Sequence, residues 1–342
     1  MSISVCSIKL HHLHFIIIFT LVFSTVDAQQ KFIFEEPKMG SPFTITIFSH
    51  DSLLAASAAK AAFRKADSLN EILSDYINLS EINRLSNSSG KGQYIPVSAP
   101  LFDIIKKSVD AAQLSGGSFD ITIGPVVQLW RKARKNNQLP APDSIKLALS
   151  KTGYQYIHLD SIHQSVLLEK EGMRLDIGGI GKGYVANEAL IILKKSGFTQ
   201  AMVNAGGKIV TADAPGDAKG WLIGINVPGE KNIIMPALLS LQNMAVATSG
   251  DLYQNLAING KKYSHIISPL TGMGLTHGRN VTAIAADAAT ADWLSTACSI
   301  LPVSISIALV EKIPGAALLI TENKKGRIVQ RSSSKFKDYI AH

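Results

Sequence analysis

The chain has 342 residues, with 34 Lys and Arg against 26 Asp and Glu and a formal charge of +8. That length supplies a substantial core for one large or two modest domains. The basic clusters at "RKARK" (Arg131 to Lys135) and from Lys324 to Lys337 have few aromatics between them, which argues against single-strand nucleic-acid binding. They read as a solvated basic face or, more sharply, as attraction to a polyphosphate or an anionic membrane surface.

The chain opens with Lys9, an apolar run from Phe15 to Phe23 and small residues ending at Ala28, the layout of a cleavable signal peptide. That run is about half of the roughly 20 residues a membrane span needs. Residues 1–28 are therefore expected to be a signal peptide and 29–342 the mature domain, exported to the periplasm, where it is either soluble or membrane-associated. Gln29 stands where a lipid anchor would want a cysteine. Cleavage would remove Cys6 together with His11, His12 and His14, leaving Cys298 alone and no internal disulfide.

"FTITIFS" (Phe43 to Ser49) reads as a strand, and Asp51 is placed to cap a long amphipathic helix that follows it. A second helix starts at Leu101 and stops at Gly116-Gly117. Strands are expected in "YQYIHLD", "SVLLEKEGMRLDI", "AMVNAGGKIV", "WLIGINV" and "AVATSG", and a hairpin in "AALLITENKKGRIVQRS". Helices near 182–196 and 289–301 interrupt them. Strands following strands argue for α+β rather than a doubly wound nucleotide fold. No Gly-x-Gly-x-x-Gly or Walker segment sits between a strand and a helix, so any nucleotide site must be built otherwise.

Five segments carry candidate chemistry. In "SGGSFDITIGPVVQLW", Asp120 is either a turn acid or an acceptor for ligand hydroxyl and ring N–H groups, and Gly124-Pro125 is expected to end a short strand before an apolar turn. In "RLDIGGIGKGYVANEA", Asp176 is expected to end a strand, and glycines up to Gly183 line the turn where Lys182 begins a helix. Outward N–H groups with a lysine suit phosphate oxygens, and exposed carbonyls suit a hard cation. The Gly206-Gly207 pair of "NAGGKIV" is at least as readily a bend as a ligand contact. "ATSGDLYQN" leads to "KKYSHIISPLTG", where His265 has the proton affinity of a general base. In "DAATADWLSTACSIL", Asp292, Ser295 and Thr296 fall at i, i+3 and i+4, an all-oxygen corner for Mg²⁺ or Ca²⁺ or simply a helix-start acid with small packing residues. Cys298 reads as a buried small hydrophobe.

Taken in order, "MGSPFTI", "LSDYINLSEINRLS", "GGSFDITIGPVVQLW", "LDIGGIGKGY", "NAGGKIV", "ATSGDLY", "HIISPLTG" and "ADWLSTA" resemble the ApbE family of FAD:protein FMN transferases across nearly the whole mature chain. The resemblance implies a single compact ApbE-like, T-fold-related α+β domain with mixed or antiparallel sheets and packed helices. It implies FAD as substrate and transfer of its FMN half to a threonine or serine of an acceptor protein, expected to be a membrane-associated redox subunit, with AMP leaving. By motif, Met39, Tyr76, Ser118, Phe119, Asp120, Asp176, Lys182 and Ile266 would hold FAD. Mg²⁺, or Ca²⁺ or Mn²⁺, would sit between Gly179, Asp292, Ser295 and Thr296, and His265 would take the proton.

One departure stands out. The family usually reads His-Ile-Ile-Asp-Pro, whereas this chain has Ser268, which supplies no carboxylate. Asp251 and Asp287 are the candidate replacements. Hydrolysis of FAD to FMN and AMP, and flavin binding without chemistry, are the competing readings.

Overall fold

In the computed structural model, residues 29–226, 234–250, 255–258, 260–324 and 327–341 are described. The expected signal peptide and Asp251 lie outside them. In chain order the elements begin with strands β1 (Gln30–Lys38) and β2 (Ser41–Ser49), helices α1 (Ser52–Leu73) and α2 (Glu81–Ser86), strand β3 (Ile95–Pro96) and helices α3 (Ala99–Leu114), α4 (Gly124–Asn136) and α5 (Pro142–Leu149). Strands β4 (Ile157–Asp160) and β5 (Ser165–Leu168), helix α6 (Gly181–Lys195) and strands β6 (Ala201–Ala205), β7 (Lys208–Thr211), β8 (Trp221–Asn226) and β9 (Ile234–Leu241) follow. The chain continues through β10 (Ala245–Ser249), β11 (Asn255–Ile258), β12 (Lys261–Ser264), β13 (Arg279–Ala285), α7 (Ala288–Ile300), α8 (Val303–Glu311), β14 (Ala317–Lys324) and β15 (Arg327–Ser332).

The central sheet runs β1-β2-β6-β7-β10-β13-β14-β15, and each of its pairings is antiparallel. Both faces of this sheet are covered, and the strand period of two divides their residues. Ala247, Val281, Ala283, Leu318 and Ile320 face a core shared with α1, α6 and α7. Their neighbours Val246, Ile284 and Leu319 face the opposite layer, where Trp221, Ile223, Leu239 and Leu241 of the β8–β9 hairpin cover them. A third cluster joins Val126, Trp130 and Ala133 of α4 to Leu256 and Tyr263 of the β11–β12 hairpin.

Helix α1 starts where expected: the Asp51 carboxylate accepts from the Leu53 and Leu54 amides at 2.8 and 2.9 Å. Its buried stripe, Ala55, Ala58, Ala59, Ala62, Phe63, Ala66, Leu69 and Leu73, follows the helical period and is mostly alanine. Helix α3 ends at the foreseen glycine pair, with φ of 59° and 77°, where the Gly117 amide returns to the Ala112 carbonyl.

Three expectations are corrected. Gly124-Pro125 opens α4 rather than closing a strand, because proline suits a first helical turn whose amides are unpaired in any case. "YQY" is a 3-10 turn before β4. The Met173–Ile177 stretch is not a regular strand: it makes one parallel bridge, Ile123 to Arg174, and the Asp176 amide donates to the Ile121 carbonyl at 2.7 Å. Gly124 allows this approach, since a Cβ there would lie 2.5 Å from the Arg174 carbonyl oxygen.

Candidate active site

A cleft of about 630 Å³ opens at one end of the central sheet. Two hairpin tips frame it. Met39 and Gly40 join β1 to β2 with φ of 50° and 72°, a two-residue turn in which the non-glycine Met39 is held in the left-handed region. Gly206 and Gly207, at 58° and 85°, make the same kind of turn between β6 and β7 and set Lys208 at the cleft. The start of α6 brings Lys182, α7 brings Asp292 and Thr296, and the segment after β12 brings His265, Ile266 and Ile267. That last segment is held from behind, because the Trp130 indole N–H of α4 donates to the Gly272 carbonyl at 2.8 Å.

Every residue that the resemblance assigns to FAD, the cation or the proton lines this cleft except Ser295. Ser295 Oγ is buried, 2.7 Å from Ser249 Oγ, and donates to the Asp292 carbonyl at 2.8 Å. Thr296 Oγ1 lies 3.4 Å from the Gly179 carbonyl oxygen. Asp292 is 1 % exposed; its Oδ2 accepts from the Gly183 amide at 3.0 Å, while its Oδ1 has no hydrogen-bond donor. Helices α6 and α7 touch closely enough for this contact only because residue 183 is glycine: a Cβ would stand 2.1 Å from the Ala288 carbonyl oxygen. An orphaned, buried carboxylate oxygen beside a hydroxyl and a carbonyl suits a hard divalent cation.

Aromatic groups sit at two depths. Phe119 is buried and tilted against Trp293, ring centroids 6.2 Å apart. Tyr76 is 74 % exposed at the rim, with the Arg131 guanidinium 4.0 Å from its ring centroid. Asp120 proves to be both a turn acid and a cleft residue. Its Oδ1 accepts from the Thr122 amide and hydroxyl at 2.8 and 2.7 Å, and its Oδ2 from the Tyr154 amide at 2.9 Å. Burial nevertheless holds its carboxyl above the ordinary range against those donors. Ser118 is spent on the Ser115 carbonyl.

Sequence reasoning missed the charged frame around Asp176. Arg131 donates to Asp75 at 2.5 Å and to Asp176 at 3.1 Å, and Arg134 lines the same wall. These two belong to the "RKARK" cluster, read either as a solvated face or as attraction to a polyphosphate or membrane surface, and helical spacing is the signal that separates them from their exposed neighbours. Asp176 is pushed above the ordinary carboxylate range by burial and by the Asp75 charge, while Arg131, the Gly178 amide and Arg134 oppose the shift. Lys182 is pushed below its ordinary value by burial and by Lys208, with Asp292 opposing. His265 is exposed at the cleft. Ser268 is buried in the turn behind it, its carbonyl accepting from the Thr271 and Gly272 amides. Asp287 caps α7 through Thr290 and binds Asn187, so its oxygens are occupied away from the cleft.

An α+β sheet whose end gathers ammonium groups, a buried carboxylate with one oxygen free of hydrogen-bond donors and aromatic rings into one cleft suits an extended, anionic, partly aromatic ligand. Residues 39–320 match the ApbE family, and the chain belongs to that family. Among its curated relatives, an FAD:protein FMN transferase of Klebsiella pneumoniae is 30% identical over 260 residues, 75% of this chain and 78% of the relative. One from Escherichia coli K12 is 28% identical over 302 residues, 86% and 85% of the two chains. The solved ApbE protein of Thermotoga maritima superposes with a TM-score of 0.82 at 28% identity, covering 92% of this chain and 100% of the other. The flavin transferase ApbE of Vibrio cholerae shares the fold, with a TM-score of 0.81 at 24% identity over 91% and 99%. The chain is accordingly a transferase enzyme.

Proposed function

We propose that the protein transfers the FMN half of FAD to a threonine or serine hydroxyl of an exported or membrane-bound redox protein, releasing AMP with the help of a divalent cation. The observation that carries this reading is the convergence of Asp176, Lys182, His265, Asp292 and Thr296, from three separate parts of the chain, on one cleft that also holds Phe119 and Tyr76. In this reading the protein acts outside the cytoplasm, after the leader of residues 1–28 is removed. Among the described residues, no helix is long and apolar enough to cross a membrane.

An alcohol is a weak nucleophile and a diphosphate repels it, so the site must neutralise oxygens, align the attack and accept a proton. The acceptor oxygen forms a bond to the phosphorus of the FMN half, the bond from that phosphorus to the bridging oxygen breaks, and AMP leaves with that oxygen. His265 takes the hydroxyl proton at the cleft mouth, where an acceptor chain has access. Lys182, at the start of α6, offsets phosphate charge. Phe119, Tyr76 and Met39 supply apolar surface for the flat rings, and the Asp176 carboxylate accepts from ring or ribose donors. A divalent cation held by Asp292, Thr296 and the Gly179 carbonyl would screen the diphosphate and the departing AMP.

The test is incubation with FAD, Mg²⁺ and a threonine-bearing acceptor domain. Flavin fluorescence on the denatured acceptor band, with AMP in equal amount, is the expected outcome, and Asp292→Asn should abolish both. Free FMN without labelling would replace transfer by hydrolysis, and intact FAD would leave only binding.

A further inference from the structure

Asp292 Oδ1 is flanked by a cation that the chain itself supplies. Lys208 is 7 % exposed; its Nζ donates to the Thr248 carbonyl at 2.7 Å and stands 3.5 Å from Asp292 Oδ1. That separation exceeds the ordinary length of a charge-assisted hydrogen bond, so the ammonium neutralises the carboxylate without saturating its lone pairs. Lys182 adds a second ammonium in the same cleft. A divalent cation bound to Asp292 Oδ1 at roughly 2.0–2.6 Å would meet an ammonium that is tethered by the Thr248 carbonyl and buried where screening is weak. Two ammonium groups thus face the one Asp292 carboxylate before any ligand arrives.

We propose that Lys208 is an internal competitor for the cation seat at Asp292, and that the site consequently takes up its divalent cation together with an anionic diphosphate rather than ahead of it. The diphosphate supplies the negative charge that lets both cations coexist, and Lys208 then turns from competitor to phosphate contact. This rests on reading Asp292, Thr296 and the Gly179 carbonyl as the cation seat, but not on group transfer.

The experiment measures Mn²⁺ binding to the full mature chain by calorimetry and by the loss of the free-ion paramagnetic signal, with and without FAD. For the wild type, FAD should tighten Mn²⁺ at least tenfold. Lys208→Met should bind Mn²⁺ alone at least tenfold more tightly than wild type, with most of the FAD coupling gone. Lys208→Gln, which keeps a donor for the Thr248 carbonyl, should behave likewise even if the methionine variant folds poorly, and Lys208→Arg should stay close to wild type. Unchanged or weaker Mn²⁺ affinity in the folded glutamine variant overturns the proposal. Because the Mn²⁺-alone arm contains no flavin, a failure of the transferase reading would leave that result interpretable. Retention of Mn²⁺ by Asp292→Asn would overturn the seat itself.

Discussion

Arg131→Met removes a guanidinium that contacts Asp75, Asp176 and the Tyr76 ring at once. The side chains involved are 26, 17 and 11 % exposed for Arg131, Asp75 and Asp176, so solvent screens them only partly. At 3.1 Å and an effective dielectric constant of 20, the Arg131–Asp176 attraction alone is about 5 kcal/mol before desolvation is subtracted. Breaking such a pair costs about 3–5 kcal/mol because the carboxylate is left behind. Arg134 remains near Asp176, which places the expected loss at about 3 kcal/mol at pH 7.5. The pH dependence follows from the direction of the Asp176 shift. Its carboxyl already stands above the ordinary range, and losing Arg131 raises it further. A raised carboxyl keeps a proton in the folded state that the unfolded state releases, so acid favours the folded variant and rising pH disfavours it. Urea unfolding of wild type and variant at pH 7.5 and pH 5.5 should therefore show a gap that narrows at the lower pH. A loss below about 1 kcal/mol at pH 7.5, or an equal loss at both, would refute the assignment of Arg131 as the counter-ion of this wall.

Gly183→Ala should cost at least about 3 kcal/mol and lower the melting temperature by several degrees, since its methyl would meet the Ala288 carbonyl at 2.1 Å; a melting point within a degree of wild type would contradict the packing described. Asp51→Ala removes the two cap bonds of α1 and should cost about 1 kcal/mol in urea unfolding, with Asp51→Asn largely restoring it. The Cys298 thiol is buried and pushed up to about 12, so a chain beginning at Gln29 should show no reactive thiol toward an aromatic disulfide reagent at pH 8 and one in denaturant; rapid labelling of the folded protein would contradict its burial.

The long periodic elements were legible because their patterns are local. The Asp51 cap and the alanine stripe announce α1, and the paired glycines at 116–117 and 206–207 announce turns that need positive φ. The site's glycine turn, its acid-hydroxyl helix and His265 were legible as motifs for the same reason. What escaped was tertiary. Met173–Ile177 has strand-like residues, yet the parallel bridge and the close pass at Gly124 bind it to α4 instead of a sheet. Arg131 and Lys132 are indistinguishable by charge; only the direction each takes from α4 sends one into the cleft and the other to solvent. Ser295 shares the helical spacing of Asp292 and Thr296, but the nearby Ser249 hydroxyl draws it behind the wall. Lys208 carried no signal beyond its place after two glycines.

The cleft's walls are drawn from Met39 at one extreme of the fold and Ile300 near the other. β2 reaches β6 across some 150 intervening residues, and β13 must find β14 before the sheet is finished. A chain that ends before Ile300 therefore lacks part of the cleft wall, and assembly dominated by such distant pairings is slow. Flavin capture would thus be a late event in the life of the polypeptide, and a tight complex would certify that maturation is complete.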